Sequence, residues 1–138
     1  MNDTTTDNKT RVLVAEDNPA LAVVLRLHLE NAGFRVTVAR DGAEAWNLLR
    51  NQDFEAVVTD QQMPGLTGSE ICRRMRQESR LARVPVVMLT AKGLEMELHR
   101  VRDEFSVAAV LAKPFSIRQL VEIVEGMAAA KPACPGHS

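Results

Sequence analysis

Five times between Arg11 and Ala130, a short β-branched or aliphatic run is followed by a segment whose apolar residues recur at helical spacing. That alternation specifies a parallel sheet with helical crossovers, since parallel neighbours need long connections that then cover the sheet faces. Val12 to Ala15, Ala56 to Thr59 and Val86 to Leu89 are nearly unbroken apolar runs, as strands buried on both faces require, and are the expected central strands. Arg35 to Ala39 alternates Arg, Val, Thr, Val, Ala and reads as a half-exposed strand nearer an edge. A short fifth strand is expected around Ala109 to Ala112.

The helices carry their own punctuation. Asn18 can cap a first helix with Pro19 at its first position, where a missing N–H does no harm. Leu21, Leu25 and Leu29 mark its inner face and Gly33 ends it. A second helix is expected from about Gly42 to Gln52, and a third from about Gly68 to Glu78 with Ile71, Cys72 and Met75 inward. Leu94, Leu98, Val101 and Phe105 trace one stripe of a fourth, and Ile117, Leu120, Val121 and Val124 mark a fifth. The polar opening, residues 1–10, reads as disordered, residues 11–130 as one domain, and residues 131–138 as a flexible tail.

Composition narrows the function classes. With 138 residues, 46% hydrophobic and 25% charged, the chain suits one globular domain. A net charge of -1 gives no basic field for nucleic-acid binding. No export signal opens the chain, and no apolar stretch approaches the roughly 20 residues that span a bilayer, so a cytoplasmic location with no membrane contact is expected. Cys72 and Cys134 have neither the density nor the spacing of a disulfide framework or zinc site.

Ligands of an open parallel sheet bind beyond the carboxyl ends of its strands. Glu16 and Asp17 follow the first strand, Asp60 the third, Thr90 the fourth and Lys113 the fifth, so all five converge on one rim. Three clustered carboxylates repel one another unless a cation neutralises them. Oxygen-only ligation suits a hard divalent ion, and magnesium fits best because it leaves room in its shell for waters and phosphate oxygens. Asp60, at the tip of the central strand, can attack phosphorus as a carboxylate nucleophile. Lys113 supplies a flexible positive charge, and Pro114 after it sets the turn and admits a cis bond. Thr90 can donate to a phosphate oxygen, a charge-assisted bond worth about 1.5 to 3 kcal/mol, which suits a switch element better than a catalyst.

The pair Glu16-Asp17, the segment Val57-Val58-Thr59-Asp60-Gln61-Gln62-Met63-Pro64-Gly65 with Gly68 following, Leu89-Thr90-Ala91 and Lys113-Pro114-Phe115 together resemble the receiver domain of two-component response regulators. The resemblance spans residues 11 to 130. It implies a doubly wound, flavodoxin-like α/β fold with five parallel strands in the order 2-1-3-4-5 and five helices. It further implies Asp60 as phosphoacceptor, with Asp17, Asp60 and the Gln62 backbone carbonyl as direct magnesium ligands and Glu16 a ligand through water. Lys113 and Thr90 would bind the phosphoryl group. The expected partners are a histidine kinase or phosphotransfer protein and a downstream protein docking on the face of helix four, strand five and helix five. The protein would be a monomer or weak homodimer, and a signalling protein rather than an enzyme, though one that catalyses its own phosphorylation and dephosphorylation. With no effector domain in the sequence, output is expected to run through another macromolecule or through dimerisation.

Two departures stand out. Family members usually carry Tyr or Phe three residues before the lysine, where this chain has Val110, and a Gly-Ala pair where it has Ser106-Val107. Gln62 and Lys92 occupy positions that in the family tune phosphoryl loss to water. A phosphorylation-independent interaction module is therefore the competing reading. An aspartyl-phosphate phosphatase fits less well, because such enzymes want a second acid two residues after the nucleophile, and Gln62 cannot serve.

Taken singly, each site residue has a plainer explanation. Asp17 could precede a helix cap, Asp60 could be turn chemistry, and Thr90 could cap the fourth helix. His28, His99 and His137 read as surface residues and Trp46 as packing. Arg73, Arg74, Arg76, Arg80 and Arg83 read as a solvated helix face.

Overall fold

A computed structural model describes residues 9–129. The expected tail segments fall largely outside that range, as do Cys134 and His137. The element order is β1 (Arg11–Ala15), α1 (Pro19–Asn31), β2 (Arg35–Ala39), α2 (Gly42–Asn51), β3 (Ala56–Asp60), α3 (Gly68–Arg76), β4 (Val86–Ala91), α4 (Glu95–Phe105), β5 (Ala109–Lys113) and α5 (Ile117–Ala129). All strands are parallel in the order β2-β1-β3-β4-β5, which is the doubly wound, flavodoxin-like α/β topology expected. Among the described residues no helix is long and apolar enough to cross a membrane.

The period-two alternation of the central strands builds two cores. Leu13, Val57, Val86 and Met88 face one side and pack with Ala45 and Leu49 of α2 and Ile71, Cys72 and Met75 of α3. Val12, Val14, Val58, Val87 and Leu89 face the other and pack with Leu25 and Leu29 of α1 and Leu120 and Val124 of α5. Each large aliphatic side chain so buried contributes about 1.5–3 kcal/mol. β2, at an edge, is buried fully only at Ala39, as its alternating sequence requires.

Local signals fix the helix starts. Asn18 accepts from the N–H groups of Ala20 and Leu21, ahead of Pro19. Asp41 caps α2 through Glu44 N–H, and Thr67 with Glu70 forms a capping box on α3. The start of α4 differs: Leu94 offers no side-chain cap. The Leu98 and Val101 positions of the expected α4 stripe lie outside the described side chains, while Phe105 packs against the first core.

Two expectations need correction. The third helix stops at Arg76, two residues short of Glu78, and the following residues run in turns toward β4. Those turns are held by arginines that the sequence presented as a solvated face. Arg76 donates Nε to Phe105 O at 2.7 Å, Nη1 to the carbonyls of Val84, Ala82 and Leu81, and Nη2 to Ser106 O. Arg80 donates to the carbonyls of Leu49 and Gln52 and pairs with Asp53 at 2.8 Å. A planar guanidinium can serve several carbonyls at once, which is why Arg76 folds under the helix and Arg80, though exposed, lies along the backbone. Arg73 is exposed, as expected, and Arg74 lies 5.7 Å over the ring of Trp46, which packs on the first core.

Candidate functional site

The rim residues sit slightly deeper than their sequence positions suggest. β3 continues through Asp60, paired in register with Leu89, and β4 continues through Thr90, paired with Ala112. Ladder bonding keeps both polar residues in strand geometry, and they are only 2% exposed. Glu16, just past β1, is 1% exposed; its backbone N–H donates to Ala39 O at 3.0 Å and its Oε2 accepts from Asn18 N–H at 3.0 Å. Asp17 remains exposed. The plainer reading of Thr90 as a helix cap fails, because α4 begins at Glu95 with Leu94 before it.

Carboxylate oxygens of Glu16, Asp17 and Asp60 all lie within 4.8 Å of one another. Lys113 Nζ is 2.9 Å from Asp60 Oδ1 and 3.4 Å from Glu16 Oε1. The close ammonium is an electrostatic neighbour of Asp60, yet neither Asp60 oxygen accepts a directed hydrogen bond, and Thr90 Oγ1 is also buried without a partner. Buried polar atoms without partners are uncommon and mark ligand positions. Burial, and next the neighbouring Glu16 carboxylate, push the Asp60 carboxyl up to about 8 against the pull of Lys113. For Lys113, burial alone lowers the value, but Asp60 and Glu16 together outweigh it, so its ammonium is held above the ordinary range. Both directions describe one cluster with more negative than positive charge.

This donor set fits a hard divalent cation: all-oxygen ligands, excess negative charge and two unsatisfied Asp60 oxygens. Gln62 lines the same small cavity as Asp60, Leu89, Thr90, Ala91 and Lys113, whose volume is about 80 Å³. That is room for roughly two to three water-sized groups, whereas drug-sized ligands take about 300–1,000 Å³. A phosphoryl group fits that space. A larger hollow of about 470 Å³ reaches Glu16 and Asp17 between α1 and β2, but Asp60, Thr90 and Lys113 do not line it.

Sequence reasoning brought Glu16, Asp17, Asp60, Gln62, Thr90 and Lys113 to one place, and the structure does the same. The Lys113–Pro114 bond is cis. His28 and His99 are exposed and stand apart from the acids. Cys72 is buried, and burial raises its thiol, which leaves it inert. Reasoning from sequence missed Gln61, whose side-chain oxygen accepts from both the N–H and the hydroxyl of Ser69 at 2.8 Å and so ties the Asp60 loop to α3. A glutamine eight residues from its partner gives no local signal.

The model of the response regulator receiver domain family matches residues 12–125. The chain belongs to that family. This receiver domain is 40% identical over 118 residues to the phosphate regulon transcriptional regulatory protein PhoB of Rhizobium meliloti, covering 85% of this chain and 51% of the relative. It spans about half the length of the relatives it matches. Its fold superimposes on the chemotaxis response regulator CheY4 of Vibrio cholerae with a TM-score of 0.79 at 26% identity, covering 87% of this chain and 99% of the other. The receiver domain of the sensor histidine kinase PA1611 of Pseudomonas aeruginosa, solved with a magnesium ion in its active-site cleft, matches with a TM-score of 0.78 at 30% identity, covering 88% and 99%. Where many receiver domains have an aromatic ring, Val110 here is half-buried against the first core, opposite Met88 in the β4–β5 register. Ser106, in place of the usual glycine, takes the left-handed conformation at φ 57° that closes α4, and Val107 is buried.

Proposed function

We propose that this receiver domain accepts a phosphoryl group on Asp60 from a histidine kinase or phosphotransfer protein, in a magnesium-dependent reaction, and signals by changed protein contacts. The observation that carries this reading is the buried Asp60 carboxylate, neither of whose oxygens accepts a directed hydrogen bond, ion-paired with Lys113 at 2.9 Å and beside two further acids. Asp17, Asp60 and the Gln62 carbonyl would hold the cation directly, with Glu16 behind them through water. Magnesium supplies positive charge, lowering the Asp60 carboxyl from about 8 and offsetting the charge of the incoming group.

The chain's own residues do the rest. Asp60 Oδ attacks phosphorus in line as the donor's P–N bond breaks, forming a P–O bond and an acyl phosphate. Lys113, already 2.9 Å from Asp60, stays paired with the phosphoryl oxygens as negative charge is added. Thr90 Oγ1, buried and without a partner, donates to one of those oxygens and draws the β4–α4 loop toward the site. The 80 Å³ cavity has room for the group, Gln62 lines it, and Lys92 follows its Ala91 wall in sequence; by the resemblance these two side chains would tune the loss of the group to water. The face of α4, β5 and α5 is the expected output surface.

Labelling with acetyl phosphate or a phosphorylated kinase tests the reading. Incorporation should require magnesium and be lost in Asp60→Asn; full labelling of that variant sinks it. Val110 favours one second reading, a module whose partner binding ignores phosphorylation, because no ring is present to change position. Partner affinity equal with and without a beryllofluoride phosphate mimic would select that alternative.

A further inference from the structure

Both helices that flank the Asp60 loop begin with glycine: Gly42 opens α2 and Gly68 opens α3. Glycine is a poor helix former, so each position calls for a reason. Gly126 in α5 has none in packing, since nothing lies within 4 Å of where its Cβ would stand. Gly42 is different. A Cβ there would fall 2.5 Å from Leu66 N and 2.7 Å from Leu66 C, distances that real Cβ atoms do not tolerate. Its N–H also donates to Pro64 O at 2.9 Å. The next residue continues the contact: Ala43 N lies 3.1 Å from the Cβ position of Gly65, whose φ is +87°. From the other side, a Cβ on Gly68 would lie 2.5 Å from Asp60 O and Met88 Sδ, and Gly68 N–H donates to Gln61 O at 3.0 Å. The segment from Asp60 to Gly68 is gripped between two helix starts, backbone against backbone.

We infer that Gly42 is a positioning residue for the cation site: its contact with Leu66 and Pro64 sets the height of the loop and thereby aims the Gln62 carbonyl. This rests on the metal reading proposed above. Gly42 belongs to a different βα unit from the acids, opening the helix after β2. A side chain at position 42 must push Pro64 to Leu66 outward, and Gln62 is only two residues before Pro64. Magnesium demands near-ideal octahedral geometry at about 2.0–2.1 Å, so a small displacement of one ligand removes it from the shell.

The test uses Gly42→Ala with Gly126→Ala as the matched control, the same change in a helix where space is open. Magnesium affinity is titrated by calorimetry and by the emission of Trp46, the single tryptophan, which packs on the same core as Leu66. Gly42→Ala should bind magnesium about tenfold or more weakly, the scale of losses seen when groups that orient metal ligands are altered. Its labelling by acetyl phosphate should return to the wild-type rate at saturating magnesium, and Gly126→Ala should match wild type throughout. Unchanged affinity in a folded Gly42→Ala overturns the inference. So does a labelling rate that stays low at saturating magnesium, which marks general damage. If Gly42→Ala fails to fold, Leu66→Ala, which frees the loop's apolar anchor, must show the same loss of affinity, and unchanged affinity there overturns the inference. A wild type that takes up no magnesium sinks the metal reading itself and this inference with it; a wild type that binds beside an unaffected Gly42→Ala sinks the inference alone.

Discussion

At the amino end of the sheet the Arg76 guanidinium meets the carbonyls of Leu81, Ala82, Val84, Phe105 and Ser106; at the carboxyl end neither oxygen of Asp60 accepts a directed hydrogen bond. Asp60 is buried and Arg76 half-buried, and both sit next to strand termini. One is spent on holding the chain, joining the end of α4, the turns before β4 and α3 into one unit. The other is left open. Arg11, also at the amino end, has an unpartnered Nε, but its Nη2 reaches Gln52 and its guanidinium lies 5.5 Å over the Phe54 ring. The lesson is that burial of charge marks a ligand position only where the protein withholds its own partners.

The sharpest way to break this contrast is to remove each charge and compare signs. Arg76→Ala strands carbonyls that currently share one cation, and we expect a loss of about 2–4 kcal/mol in urea unfolding. A loss below roughly 0.5 kcal/mol would mean water replaces the guanidinium without cost, and the amino end would no longer differ from an ordinary surface. Asp60→Asn should move the other way. It removes a carboxylate that is disfavoured in its site, so in chelator above about pH 8 we expect a gain of about 1–2 kcal/mol. Destabilisation by that variant would show that Asp60 is structurally satisfied after all.

The same carboxylate sets a pH dependence. Its folded value, about 8, lies above the ordinary 3.8, so between those values the folded state binds the proton that the unfolded chain has lost. Stability in chelator should therefore be highest near the acid end of that window, fall as pH rises through it, and level off above about 8. Asp60→Asn should flatten the profile, and Arg76→Ala should shift it down without changing its slope. Magnesium should restore stability at the upper end, by about 2.7 kcal/mol at a hundredfold excess over its dissociation constant, and have little effect where Asp60 is protonated. A profile that rises with pH across the window would refute the assignment.

The carboxyl end was largely legible in the sequence and the amino end was not, for physical reasons. Asp60, Thr90 and Lys113 each close an apolar run, and strand direction alone carries them to one rim. Their depth was harder to read, because a polar residue breaks the apolar pattern before the ladder ends; β3 and β4 each continue through it. Arg76 finds its acceptors up to 30 residues away, and an arginine that folds under a helix is written the same way as one that faces solvent. The approach of Gly42 to Leu66 is likewise a contact between βα units, invisible to any local signal.

Arg74 sharpens the comparison at the smallest scale. It lies two residues before Arg76 on the same helix and carries the same charge, but its guanidinium sits 5.7 Å over the Trp46 ring, with no backbone carbonyl among its described contacts. Its removal leaves an aromatic face that water can cover, so Arg74→Ala should cost only about 0.5–1 kcal/mol and shift Trp46 emission. Arg76→Ala should cost several times more, with Trp46 emission little changed, because it strips a donor from five carbonyls at once, of which only Leu81 O and Phe105 O have another protein donor among the described contacts, Val84 N–H and the weak Cys72 thiol. Equal losses from the two variants would show that net charge on α3, and not the satisfaction of particular acceptors, governs this end of the sheet.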